Sequence, residues 1–244
     1  MASTSTQPEL EIALPPTTPS VSNTHRWIDL ALVLMVAFAG HVVSSVDRAF
    51  HPAPITHSNV RLGLGMLDEA IALLLFFVLF RRQGRRWQDI GFKFHWADLP
   101  KAIGLAMASF TLMWGAGLAI PYIYSLVTLQ TFPYHGPISS FSDSSIWLLV
   151  PFLFLNPFFE EILVRGYLMT EWIDLRKSVV VAAVISLVFQ TSYHLYYGIF
   201  GAAIVGFGLS VFAIYYAKSR RLMPVILAHM LWDLTAVLSK LHHS

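Results

Sequence analysis

The stretch NPFFEEILVRGYL, residues 156–168, places two adjacent glutamates and an arginine inside an otherwise apolar run. Each ionisable side chain at membrane depth costs about 3 kcal/mol on insertion scales. Such groups therefore line a cavity, pair with one another or take part in chemistry. The stretch predicts a membrane-spanning helix whose charged side chains face the interior of a helical bundle.

The composition of the whole chain agrees with this prediction. Of its 244 residues, 56% are hydrophobic and 12% are charged, and the mean hydropathy is +0.61. An ordinary soluble domain contains about 25% charged residues. The composition therefore predicts an all-α, polytopic transmembrane helical bundle in one domain. The chain contains no cysteine, which excludes disulfides, thiolate metal ligands and a cysteine nucleophile.

Residues 1–24 differ in composition from the rest of the chain. They are rich in Ser, Thr and Pro and contain no Lys or Arg. They lack the basic start and the apolar region of a secretory signal. We expect a disordered tail at 1–24 and a single helical membrane domain at 25–242.

About seven runs are long and apolar enough to cross a bilayer, which requires about 20 residues. None alternates polar and apolar residues along its length, so the runs predict helices and not strands. The fourth is interrupted by Pro151 and Pro157. The runs cover residues 27–46, 61–80, 100–124, 146–172, 178–196, 199–217 and 222–240.

Lys and Arg concentrate in three of the connections between these runs. Seven spans that start from a cytoplasmic N-terminus place all three connections on the cytoplasmic side, as the positive-inside rule requires. We therefore expect the N-terminus inside and the C-terminus outside. The basic residues are Arg81, Arg82, Arg85, Arg86, Lys93 and Lys101, then Arg176 and Lys177, then Lys218, Arg220 and Arg221.

Two further patterns concern packing. Segment 87–99, with two tryptophans and mixed polarity, is expected along the cytoplasmic interface before the third span. Gly104-x-x-x-Ala108 and Ala202-x-x-x-Gly206 are small-residue spacings that allow helices to approach closely.

Helical spacing separates the two glutamates of the opening stretch. Glu161 and Arg165 lie four residues apart on one face and can pair, whereas Glu160 points about 100° away. Either all three form one structural ion network, or Glu160 lacks a local partner and suits a general base. Asn156 and Pro157 are typical of a helix N-cap and first turn, although the proline can equally kink one long helix.

Further polar groups lie in the late spans. His194 occurs in FQTSYHLYYG, and His229 and Asp233 share one helical face in VILAHMLWDL. A single histidine in a span is more often a packing residue than a ligand. Together with the carboxylates, these groups could activate a water or bind a divalent metal such as zinc, with Glu160, His194 and His229 as candidate ligands. At about 1.5 Å per residue, His194 lies roughly two turns deeper than Glu160 and His229.

Several other chemistries are excluded by their missing motifs. The chain contains no H-E-x-x-H zinc helix, no phosphate-binding P-loop and no nucleic-acid-binding motif. Residues 206–209, GFGL, do not match the G-x-G-D signature of intramembrane aspartyl proteases. Residues 208–211, GLSV, do not match the G-x-S-G pattern of rhomboid serine proteases.

The motifs that are present resemble those of the CPBP family, the CAAX-processing and bacteriocin-processing membrane endopeptidases, also called the Abi or type II CAAX prenyl endopeptidase family. Residues 160–166, EEILVRG, resemble its E-E-x-x-x-R motif, and residues 229–233, HMLWD, resemble H-x-x-x-[ND]. The second motif, F-x-x-x-H, matches imperfectly. His194 is present, but Phe189 precedes it by five residues and Gln190 occupies the expected place. The resemblance covers about residues 87–240.

The resemblance implies an all-helical membrane domain with an inward-facing conical cavity. It implies that Glu160 and His194 activate a water that attacks a peptide bond, and that Glu161 with Arg165 orients the site. His229 and Asp233 would line the oxyanion side. An aspartate is a poorer oxyanion donor than asparagine unless it is protonated, so Asp233 can instead orient His229.

Three functions follow as hypotheses. The first is an intramembrane endopeptidase, in a bacterial cell membrane, that cleaves a membrane-associated peptide or lipidated protein and binds no nucleic acid. The second is a catalytically idle family member that acts as an immunity or scaffold protein. The third is a small proton-coupled transporter. The intact set Glu160, His194 and His229 favours the first over the second, and the lack of internal repeats disfavours the third.

Overall fold

The computed structural model describes residues 21–51, 55–56, 58–132, 139–140 and 144–241. A π-helical segment, Ile162–Met169, connects two of its helices without a break, and two 3-10 turns span Trp87–Ile90 and Leu195–Tyr197. Two short strands, β1 (Ile55–Thr56) and β2 (Ser139–Ser140), pair in parallel. The helices are α1 (Asn23–Phe50), α2 (Asn59–Arg82), α3 (Asp98–Thr128), α4 (Ile146–Glu161), α5 (Thr170–Arg176), α6 (Val179–Ser192), α7 (Gly198–Ser219) and α8 (Met223–Leu241).

Seven helical stretches correspond to the seven predicted runs, which confirms the all-α membrane bundle. Within the described residues, five are long and apolar enough to cross a membrane, and two apolar helices are shorter. The shorter ones are α6 and the part of α8 between Met223 and Thr235. The five long stretches are Asn23–Phe50, Asn59–Arg82, Asp98–Thr128, Ile146–Arg176 and Leu195–Ser219.

Helix α1 begins at Asn23, whereas the predicted apolar run begins at Trp27. Ser22 caps the helix, since its Oγ accepts a hydrogen bond from the His25 N–H at 3.3 Å. Residues 1–20 of the predicted tail lie outside the described residues.

The fourth span is one long helix, and this decides between the two interpretations of Asn156 and Pro157. Helix α4 runs through both residues, so Asn156 is not an N-cap. The π segment then continues directly into α5. All eight residues of the π segment are buried, including Arg165. A single π-helical stretch inside an α-helix is uncommon and is frequently found at functional sites.

Helices α2 and α4 run side by side in the same direction. At their starts, the Ser145 N–H donates to Oδ1 of Asn59 at 2.7 Å. Toward the end of α2, the ring of Phe76 lies 5.0 Å from the ring of Tyr167, in the π segment that continues α4. These two contacts fix the register between the helices.

Close packing joins α3, α7 and α8. Ser109 on α3 donates its hydroxyl to the Gly208 carbonyl at 2.6 Å, and the ring of Trp232 lies directly over Gly208. The Trp232 ring also packs at a tilt against the rings of Phe110 and Phe212. The absence of a side chain at Gly208 therefore sets how closely α8 approaches α7.

The structure distinguishes the two small-residue spacings. Ala202 and Gly206 are buried, and Thr191 of α6 packs against Gly206, so the close approach predicted there is confirmed. Gly104 and Ala108 are exposed, and a Cβ on Gly104 would meet nothing within 4 Å. The packing predicted at Gly104 was wrong for the described chain, because that face of α3 points outward.

The three basic connections gather at one end of the bundle. Arg221 pairs with Asp98 at 2.6 Å, and the Leu222 N–H donates to the Gly91 carbonyl at 3.0 Å. Arg26 at the start of α1 and Arg85 after α2 both pair with Glu171. The end of the molecule that contains these connections is therefore also the end at which α1 begins.

Candidate active site

Glu160 lies in the last turn of α4, and only one of its carboxylate oxygens is held by protein. Oε2 accepts hydrogen bonds from Gln190 Nε2 at 2.9 Å and from the Tyr193 hydroxyl at 2.8 Å. Oε1 accepts none from the described residues, and the side chain keeps 7% of its surface exposed. The carboxylate is thus fixed in orientation, with one oxygen available to another molecule.

Gln190 connects the two adjacent glutamates. Its Nε2 lies 2.9 Å from Oε2 of Glu160 and 3.5 Å from Oε1 of Glu161. The side chain is completely buried at the end of α6. Gln190 stands where the second family motif has phenylalanine, while Phe189 packs edge-on against Phe38. The exchange places a hydrogen-bond donor beside both carboxylates.

The negative charge of the Glu161 carboxylate is compensated by an arginine and a histidine. Its Oε2 lies 3.5 Å from Arg165 Nε, and its Oε1 lies 2.9 Å from His229 Nδ1. The predicted Glu161–Arg165 pair is confirmed, and both side chains are fully buried. Arg165 also donates from Nη2 to the Leu209 carbonyl at 3.2 Å. The pair therefore connects the π segment to α7 as well as to α8.

His229 lies between Glu161 and Asp233 and is within hydrogen-bond distance of Glu161. Since a carboxylate only accepts, Nδ1 of His229 carries a proton toward Glu161. Nε2 lies 3.8 Å from Oδ1 of Asp233, which is longer than a hydrogen bond. Asp233 Oδ2 accepts instead from Asn156 Nδ2 at 3.3 Å. The Nε2 position of His229 is therefore not committed to a protein acceptor.

His194 lies in the turn that follows α6. Its Nδ1 is 2.8 Å from the Gln190 carbonyl oxygen. Because a carbonyl accepts, Nδ1 carries the proton and Nε2 of the neutral ring has a free lone pair. The ring lies 4.9 Å from the ring of Tyr193, whose hydroxyl contacts Glu160. Helix α6 ends at Ser192, so the fifth predicted run is interrupted before His194.

The structure brings the six predicted site residues into one region, with partners that differ from those expected. Glu160 bonds directly to Gln190 and Tyr193 and to neither histidine. No role was predicted for Gln190, Tyr193 or the Asn156 amide. The sequence marks these residues only as polar side chains in apolar spans. A polar side chain in a span does not reveal which residue it contacts.

The predicted metal ligands do not assemble as a metal site. Across the part of the chain that the structure describes, no group of three or more His, Cys, Asp and Glu side chains could hold a metal ion. As arranged in the described chain, these side chains do not gather into a zinc site.

The cluster lies in the interior of the bundle, and the two grooves described on the surface are apolar. Glu161 and Arg165 are fully buried, and His229 keeps 4% of its surface. One groove is lined by Ile120, Ile123, Tyr124, Val127, Thr128 and Phe200, and the other by Val184, Ile185, Val188, Phe189 and Ser192.

Comparison with known proteins assigns the region of this cluster to a family model. Residues 142–235 match the family model described as Type II CAAX prenyl endopeptidase Rce1-like. The matched range contains every residue of the polar cluster, from Asn156 to Asp233. Neither a curated protein nor a solved structure matches the chain. Residues 142–235 therefore form an Rce1-like domain, similar to the type II CAAX prenyl endopeptidases, within a bundle whose described helices include five long and apolar enough to cross a membrane.

Proposed function

We propose that this chain is an intramembrane endopeptidase in which Glu160 activates the water that hydrolyses a peptide bond. The observation that carries the proposal is the asymmetry of the Glu160 carboxylate. Oε2 is fixed by Gln190 and Tyr193, while Oε1 has no partner in the described chain and retains exposed surface. The substrate is a peptide segment or a lipidated protein that reaches the site within the membrane.

The first chemical step places a water against Oε1. Glu160 accepts a proton from this water as its oxygen attacks the carbonyl carbon of the substrate. His194 accepts a hydrogen bond from the same water through its free Nε2 lone pair. The Nδ1 contact with the Gln190 carbonyl keeps the ring in this tautomer.

The second requirement is a donor for the oxygen that becomes negative. His229 Nε2 is suited to this when the ring carries a proton on both nitrogens, because Nδ1 then donates to Glu161 and Nε2, 3.8 Å from Asp233, donates to the oxyanion. A donor already oriented toward developing charge stabilises the transition state. Glu160 then returns its proton to the leaving amine as the C–N bond breaks, which restores the carboxylate.

The test compares purified Glu160→Gln with the parent on a library of prenylated and unprenylated peptides. Loss of a general base reduces the rate by about 10²–10⁴-fold. The fold should persist, because a neutral amide is cheaper to bury than a carboxylate. The double variant Glu160→Gln/His194→Ala should lose little more than either single variant, since residues that act as a unit are not additive. Asp89→Asn, at an exposed position, is the matched control.

Full activity in Glu160→Gln with an unchanged melting temperature would reject the catalytic assignment and favour the scaffold function. Dialysis against a chelator tests the metal hypothesis in the same assay. Activity that is lost on chelation and restored by zinc would require a metal in the reaction.

A further inference from the structure

Glu69 is a buried carboxylate that the proposed chemistry does not use. It lies in the middle of α2, within the apolar stretch LGLGMLDEAIALL, residues 62–74. Only 3% of its surface is exposed, and its Oε2 has no hydrogen-bond partner. An ionisable group at this depth requires a counter-charge or a function. Helix α2 lies outside the matched range, residues 142–235, so the family match assigns it nothing.

The register between α2 and α4 places Glu69 at the level of the active site. Asn59 contacts Ser145 and Phe76 contacts Tyr167, and the helices run parallel between these contacts. Counting along both helices from the Asn59–Ser145 contact places residue 155 opposite Glu69. Counting back from the Phe76–Tyr167 contact places residue 160 there. Asn156 and Glu160 belong to that stretch.

The electrostatics of the region agree with this placement. Among charged groups, Glu160 and Asp233 act most strongly on Glu69, ahead of its chain neighbour Asp68. Three carboxylates, from α2, α4 and α8, therefore share one part of the interior. The cationic groups described nearby already contact Glu161, since Arg165 pairs with it and His229 Nδ1 lies 2.9 Å from its Oε1.

Glu69 and Glu160 thus remain without a described counter-charge. The partner that fits them is a cation supplied from outside the chain. A lysine ammonium or an arginine guanidinium can donate a charge-assisted hydrogen bond to a carboxylate oxygen. Each also has an apolar stem that suits an apolar surrounding.

We propose, on the basis of the proposed peptidase function, that Glu69 is a specificity residue that binds a basic side chain of the peptide substrate beside the cleaved bond. The Oε2 atom that lacks a partner in the protein accepts the hydrogen bond from this side chain. Glu160 remains the base, and Glu69 selects which peptide is placed against it.

The experiment uses the full chain in detergent and matched peptides with lysine or norleucine at each position near the cleaved bond. Norleucine has a similar apolar stem and lacks the charge. In the parent, the best lysine peptide should have a kcat/KM about tenfold or more above its norleucine match, as expected for a hydrogen bond to a charged group. In Glu69→Gln, this ratio should fall toward one. In Asp68→Asn, an exposed neighbour on the same helix, the ratio should keep its parent value.

A second measurement separates this proposal from the peptidase proposal. The lysine peptide should raise the melting temperature of the parent more than the norleucine peptide, and Glu69→Gln should remove the difference. This result without any cleavage would retain the cation site and reject the peptidase. Equal values for the two peptides in the parent would overturn the inference. An equal loss of cleavage for both peptides in Glu69→Gln would also overturn it, because it would indicate a role in packing.

Discussion

Arg165 is the cation that allows Glu161 to be fully buried. Replacing it with alanine would remove the arginine from that carboxylate and leave it the contacts with His229 and Gln190. Removing one member of a buried pair destabilises a protein by about 3–5 kcal/mol. We expect Arg165→Ala to have a clearly lower melting temperature and a lower folded yield, whereas Arg81→Ala, at an exposed position, should behave like the parent. Normal thermal stability of Arg165→Ala would contradict the pairing.

Gln190 orients the carboxylate of Glu160, the proposed general base, through Nε2. Gln190→Leu keeps an apolar side chain of similar length and removes the donor to both glutamates. A hydrogen bond to a charged group contributes about 1.5–3 kcal/mol, so cleavage should slow by about 10- to 100-fold. The measurement is the rate constant at saturating peptide, with Gln88→Leu at an exposed position as the control. Unchanged cleavage in Gln190→Leu would mean that Tyr193 alone sets the orientation of Glu160.

The residues of the site differ in how well the sequence predicts them. The Glu161–Arg165 pair follows from four-residue spacing on one helix, so local geometry was sufficient. The partners of Glu160 are 30 and 33 residues away along the chain, and their contacts depend on how α6 packs against α4. Glu69 belongs to no motif and became informative only when the register of α2 was known.

At the scale of elements, Gly208 determines the spacing between α7 and α8. An added Cβ would overlap the Trp232 ring and lie 3.2 Å from the Ser109 hydroxyl. Overpacking costs about 1–3 kcal/mol, and displacement of α8 also moves His229. We expect Gly208→Ala to lower both the melting temperature and the cleavage rate. Gly104→Ala meets nothing within 4 Å and should be neutral or slightly stabilising, because alanine favours helix. Equal melting temperatures in the two variants would contradict this account.

Helix positions were predictable because hydropathy and the length needed for a span are strong signals. The early end of α6 was not, because the apolar residues continue beyond Ser192 into the turn that contains His194. The π segment was not predictable either. Its eight residues form a continuous apolar pattern around Arg165, and the choice between α and π hydrogen bonding depends on the buried surroundings of that side chain.

At the scale of the whole molecule, the three basic connections should share one compartment. They meet at the end of the bundle where α1 begins, and the positive-inside rule assigns that end to the cytoplasm. Because the chain lacks cysteine, single substitutions Arg86→Cys, Lys177→Cys and Lys218→Cys can be labelled without background. An impermeant thiol reagent outside the cell should spare all three and label Arg61→Cys. Labelling of any of the three from outside would contradict the proposed orientation.

Helix α6 also affects the surrounding lipid. Its 14 residues extend about 21 Å, whereas the hydrocarbon layer is about 30 Å thick. Val180, Val184 and Val188 point outward from this helix. The resulting hydrophobic mismatch favours local thinning of the bilayer beside α6, which brings headgroups and their water closer to the turn that contains His194. The acyl-chain length of the lipids thereby affects how closely water approaches this turn. We expect the proposed hydrolysis to slow as the protein is reconstituted into progressively thicker membranes.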